Sequence, residues 1–150
     1  MAKFKFRLAT LLRLREAARD ERRAQLAQAY RADEIIEQER TRVAGELREV
    51  ERQSRRAAAP GQLDVDRLLE TRRYELVLHS QDQQLAQQHQ AVQTEVERRR
   101  QALVDANRQV RVLEALHQKQ LDHHRREENR QEIKQLDEMA GRRAGQEDDE

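Results

Sequence analysis

Cysteine and tryptophan are absent from this chain, and there are only one proline and four glycines. Without cysteine there is no disulfide, no thiolate metal ligand and no cysteine nucleophile. Turns draw on Gly and Pro, and strands on β-branched and aromatic residues. Aromatics make up 3% of the chain, so sheet and turn-rich folds are set aside. No stretch approaches the roughly 20 apolar residues of a bilayer-spanning helix. The opening Met1-Ala2-Lys3-Phe4-Lys5-Phe6-Arg7-Leu8 lacks the apolar core of a secretory signal. It resembles an Arg-rich amphipathic transit peptide, but Glu16, Asp20 and Glu21 follow without a break in the helical pattern. The reading that follows is a cytoplasmic protein.

What the chain does have is charge and periodicity. Of its 150 residues 39% are charged, and mean hydropathy is −1.16. Those values also suit a disordered chain, but disorder carries no sustained 3.5-residue apolar repeat. This chain does. Leu85, His89, Val92, Val96, Arg99, Leu103, Ala106, Val110, Leu113 and His117 fall at alternating steps of three and four, the a/d seam of a coiled coil. In the first half Ala29, Ile36, Val43 and Val50 recur at seven, with Leu26 and Leu47 beside them and polar Asp33 and Arg40 breaking the seam.

One breaker divides the two halves. Pro60-Gly61 cannot continue a helix, and Asp64-Val65-Asp66 supplies N-cap chemistry just after it. The expected fold is all-α: an antiparallel coiled-coil hairpin over 1–140, with a helix over 5–57, a turn over 58–63 and a longer helix over 64–140. At 1.5 Å per residue the helices are roughly 80 Å and 115 Å long. Residues 141–150 read as a disordered acidic tail. Folding about Pro60-Gly61 puts residues opposite each other when their numbers add to about 122, so Ile36 faces Leu85 and Phe4 faces Gln118.

Charge is unevenly shared. Residues 1–60 hold 15 Lys/Arg against 10 Asp/Glu, a net +5; residues 61–150 hold 15 against 19, a net −4. Opposite signs favour docking of one helix on the other. Phe4, Leu8, Leu11, Leu12 and Leu14 crowd together among Lys3, Lys5, Arg7, Arg13 and Arg15. That is more apolar surface than a two-helix seam can use, and the surplus points to a partner.

Other chemistry is harder to find. Of the five histidines, His117 and His124 stand seven apart, whereas helical chelation uses pairs four apart, so no metal site is assigned. The clusters Arg98-Arg99-Arg100, Arg72-Arg73 and Arg125-Arg126 each have acids beside them and no stacking aromatics, which argues against nucleic acid. No phosphate loop, nucleophile elbow or Ser/His/Asp set occurs, so no catalytic residue and no cofactor is assigned.

Two terminal motifs are more specific. Phe4-Lys5-Phe6-Arg7-Leu8 followed by Leu11-Leu12-Arg13-Leu14-Arg15-Glu16 resembles the N-terminus of the FliJ family of flagellar export proteins. Glu132-Ile133-Lys134-Gln135-Leu136-Asp137-Glu138-Met139-Ala140 is similar to that family's C-terminal pattern. The resemblance implies a non-enzymatic component of the flagellar type III export apparatus, a monomer shaped like the rotary-ATPase γ stalk. It would bind the export ATPase ring and promote its assembly, touch the cytoplasmic domain of the export gate and handle export chaperones. Such a protein is cytoplasmic and peripherally associated with the inner-membrane export apparatus. Carried onto this chain, the ATPase-binding residues are Phe4, Phe6, Leu8, Leu11, Leu12, Arg13, Arg15, Ile133, Leu136, Asp137, Glu138 and Met139. The gate-binding residues are Tyr74 and Leu78. Outside the resemblance, a coiled-coil scaffold or tether is the alternative, with a helical nucleic-acid binder behind it.

Overall fold

The computed structural model describes residues 3–61 and 63–147, with side chains to 142. Two helices, α1 (Ala9–Ala57) and α2 (Val65–Glu147), pack against each other, and the second is the longer. The protein is an all-α helical hairpin.

The loop is made by the residues that break the pattern. The backbone amides of Ala58 and Ala59 bond back to the Ser54 and Arg56 carbonyls and close α1. Arg55 and Arg56 in its last turn lie at the negative end of the helix dipole. Gly61 then takes φ +98°, a left-handed conformation that glycine adopts without a Cβ penalty. Asp64 Oδ1 accepts from the Arg67 amide at 3.1 Å, the N-cap expected from sequence, and α2 begins at the next residue.

Both ends of the hairpin differ from the sequence expectation. Helix α1 starts at Ala9 rather than at residue 5. The reason is visible in the ring contacts of Phe4 and Phe6, which both lie against His117. Residues two apart share a side in extended chain but point about 200° apart on a helix. At the other end α2 runs through Gly141 to Glu147, into the stretch expected as a tail. The two helical glycines there, Gly141 and Gly145, cost about 1 kcal/mol each relative to alanine, and no proline lies between them and Glu147 to stop the helix. The rest of that stretch, 148–150, lies outside the described residues.

Two compact units divide the chain: residues 20–104, and residues 1–19 with 105–150. In the first, Val43, Val50 and Leu78 form the buried core, with Leu47 and Leu85 packed against it. Towards the loop the seam narrows to Ser54, Ala57 and Thr71, all buried. Ser and Thr can be buried without loss only if bonded, and the Thr71 hydroxyl donates to the Arg67 carbonyl at 2.6 Å. In the second unit Val110 and Phe6 are the buried apolar residues.

The register follows the fold about Pro60-Gly61. In the first unit Asp33 meets His89, whose numbers add to 122, and Tyr74 meets Glu46, which add to 120. In the second, Phe4 meets His117, one residue from the expected Gln118. All ten residues of the expected α2 seam, Leu85 to His117, are buried or half-buried.

Candidate functional site

The candidate contact residues separate into those that hold the hairpin together and those that face solvent. In the unit formed by 1–19 and 105–150, the segment before α1 lies on α2 through its aromatic rings. Phe6 is buried edge-on to His117, with centroids 4.8 Å apart; Phe4 lies 5.6 Å from both His117 and His124. Edge-to-face rings at this spacing add about 0.5–1.5 kcal/mol to the area they bury. Leu8 and Leu12 are half-buried as well, and the Leu8 carbonyl accepts the first α1 bond from the Leu12 amide at 2.9 Å. These four side chains anchor the N-terminus.

The outward set is different. Leu11 is 37% exposed and Leu14 62%. Arg13 is exposed beside them, and exposed Arg15 reaches Gln109 Oε1 with a 2.8 Å hydrogen bond. Leu14 is missing from the sequence-derived set although it is the most exposed of these leucines. Subtracting the seam residues Leu8 and Leu12 from the leucine cluster would have found it.

Further along α2 every side chain from 129 to 142 is exposed. Ile133, Leu136 and Met139 stand out at 58–64% exposure. At spacings of three they lie along one side of the helix. Asp137 and Glu138 are exposed among them. Among the described residues no other element covers these three large apolar side chains, so they are not part of a core.

In the unit 20–104 the two expected gate residues part company. Leu78 is 1% exposed at the centre of the core cluster, so it faces α1. Tyr74 is exposed, and its hydroxyl donates to Glu46 Oε2 at 2.9 Å. That bond raises the phenol above its ordinary range and lowers the Glu46 carboxyl, which Arg42 lowers further. Around Tyr74 the outward apolar residues are Leu69, Leu76 and Val77. Leu69 and Leu76 stand seven apart, each two positions before the seam residues Thr71 and Leu78, a second stripe that a heptad count could have revealed.

Salt-laced helix surfaces take up the arginines of the 98–100 cluster and Arg72. Arg98 and Arg99 both bond Glu95, at 2.6–2.8 Å, and together hold its carboxyl down to about 2. Arg99 also donates to the Gln25 carbonyl on α1 at 2.6 Å, so this seam arginine links the two helices. Arg72 pairs with Glu75, and Arg130 with Glu127. A cleft of about 580 Å³ beside the loop is open and lined by Glu49, Gln53, Arg56, Ala57, Leu63, Asp64 and Arg67. Its charges alternate in sign and do not converge on a single point.

Among the described residues no helix is long and apolar enough to cross a membrane. No curated protein and no solved structure matches the chain. One family model does, described as flagellar FliJ protein, and it covers residues 4–148 of 150. That span takes in both terminal motifs, the loop and both helices, and the chain therefore belongs to the FliJ family of flagellar, export-associated proteins.

Proposed function

We propose that this protein is a non-enzymatic, cytoplasmic component of the flagellar type III export apparatus that docks on the export ATPase ring as a γ-like stalk. The observation that carries the reading is the exposed stripe Ile133, Leu136 and Met139 on a stretch of α2 that no other element covers. A helix that leaves this much apolar surface in water lowers its free energy by finding a partner, at roughly 25 cal/mol per Å² covered. Leu11, Leu14, Arg13 and Arg15 supply a second, basic and apolar contact, while Phe4, Phe6, Leu8 and Leu12 set its position. Asp137 and Glu138 give the stripe an acidic edge suited to basic groups on the ATPase.

In this reading the protein promotes ATPase assembly, hands on export chaperones and touches the cytoplasmic domain of the export gate. It stays peripheral to the inner membrane and works as a monomer. The gate contact uses Tyr74 and its exposed neighbours Leu76 and Val77, with Leu78 keeping that part of α2 seated on α1.

The test replaces Ile133 and Leu136 together by Ala, and separately Leu11 and Leu14, in the full chain. Each pair should weaken binding to an export ATPase about tenfold or more, with helicity by circular dichroism unchanged. Binding equal to wild type in both variants would move the assignment to a coiled-coil scaffold.

A further inference from the structure

The polar residues that interrupt the seam meet one another. Asp33 on α1 and His89 on α2 lie level, with Oδ1 and Nδ1 3.1 Å apart. Glu37 Oε1, one turn along α1, is 3.2 Å from the same nitrogen and 2.9 Å from Arg40 Nη1. Gln93 donates to the other Asp33 oxygen at 2.8 Å. Asp33 Oδ1 and His89 Nδ1, like Arg40 Nε, are shielded from solvent and form no hydrogen bond, so the Asp33–His89 approach is a close charged or polar contact and not a hydrogen bond. Four of these five side chains thus depend on the opposite helix for at least one close polar contact.

The apolar seam by itself does not specify this alignment. Sliding α2 by one heptad would put Val43 against Leu85, Val50 against Leu78 and Ile36 against Val92, all apolar pairs. The same slip would put Asp33 against Val96 and His89 against Arg40. Sliding the other way would put Asp33 against Asp82 and His89 against Leu26. Each slip therefore leaves a carboxylate facing a hydrocarbon or another carboxylate, and takes His89 away from the Asp33 and Glu37 carboxylates. A half-buried carboxylate without a partner is costly, and polar seam residues can select one register at the expense of stability.

We propose that the Asp33–Glu37–His89–Gln93 layer is a register key: it excludes the heptad-slipped hairpins that the apolar seam tolerates, and lowers stability in doing so. The inference does not depend on the export reading. The key matters for any partner that must meet surfaces on both helices, because a one-heptad slip displaces them by about 10 Å.

The test uses the full chain, whose lack of native cysteine lets Gln38→Cys and Gln84→Cys carry the only spin labels. Both positions are exposed, and their numbers add to 122. Wild type and a hydrogen-bonding control, Asp33→Asn with His89→Gln, should each give a single interlabel distance. Asp33→Leu with His89→Leu should raise Tm by about 2–4 °C and add a second, longer distance population, since an axial slip of about 10 Å lengthens the separation of two labels that start level by about 3–5 Å. A single wild-type distance in the leucine variant would overturn the key. So would a lower Tm there, or a second distance in the Asn/Gln control.

Discussion

Two stretches of α2 have similar composition and opposite situations. Between Thr71 and Val110 the helix alternates seam and surface, and Leu78, Val96 and Val110 are buried. Between residues 129 and 142 the same alternation of apolar and charged residues continues, yet every side chain is exposed. Leu78 and Leu136 are chemically identical; one is 1% exposed and the other 64%. Helical patterning sets which residues share a side, whereas burial needs a second element to cover that side. The first stretch spends its apolar residues on the fold and the second leaves them exposed.

The sharpest way to break that comparison is one substitution at two places. Val43→Asp would put an unpaired charge in the core and should destabilise the protein by roughly 3–5 kcal/mol, seen as a large drop in Tm by circular dichroism. Leu136→Asp should stay within about 0.5 kcal/mol of wild type. Equal losses would mean that the distal stretch is packed. A finer comparison stays within three residues of one helix. Leu78→Ala should cost about 2–5 kcal/mol, because it opens a cavity beside Val43 and Val50. Leu76→Ala, at an exposed position, should cost almost nothing. Chemical denaturation of the two variants reads the difference directly.

Hydrogen exchange probes the same contrast without mutation. Amides from 36 to 50 should be protected close to the global stability, and those from 129 to 142 only by local helix opening, which costs far less. Protection in the distal stretch should rise when an export ATPase is added. The smallest effect concerns Glu95, whose carboxyl is lowered by hydrogen bonds from Arg98 and Arg99, to about 2. Its contribution to stability is complete above the ordinary carboxylate value of 4.5 and fades as pH falls to about 2. Glu95→Gln should therefore lower Tm slightly at pH 6, and the gap should close by pH 2. A gap that widens in acid would show that the Glu95 pairing is not what stabilises this turn.

Much of this was open to reading in the primary structure because a coiled coil is nearly local in its rules. The 3–4 spacing from Leu85 to His117, the Pro60-Gly61 break and the Asp64 cap each follow from neighbours within a turn or two. The antiparallel pairing comes with them, since a short loop makes the two helices neighbours and bounds their register to within about a heptad. The terminal motifs pointed to the family on the same local basis.

The tertiary structure alone decided which apolar residues are spent and which remain. Phe4 and Phe6 leave the helix because their rings find His117, a partner 111 positions away from Phe6. Leu12 turns to the seam while Leu14 faces water, and Leu78 is sealed in the core beside exposed Tyr74. The polar side chains Asp33 and His89 look like isolated flaws until the fold brings them to 3.1 Å. Sequence determines the periodicity, because backbone geometry is a property of each segment. Coverage is a property of pairs of segments, so it exists only after the chain has folded back on itself.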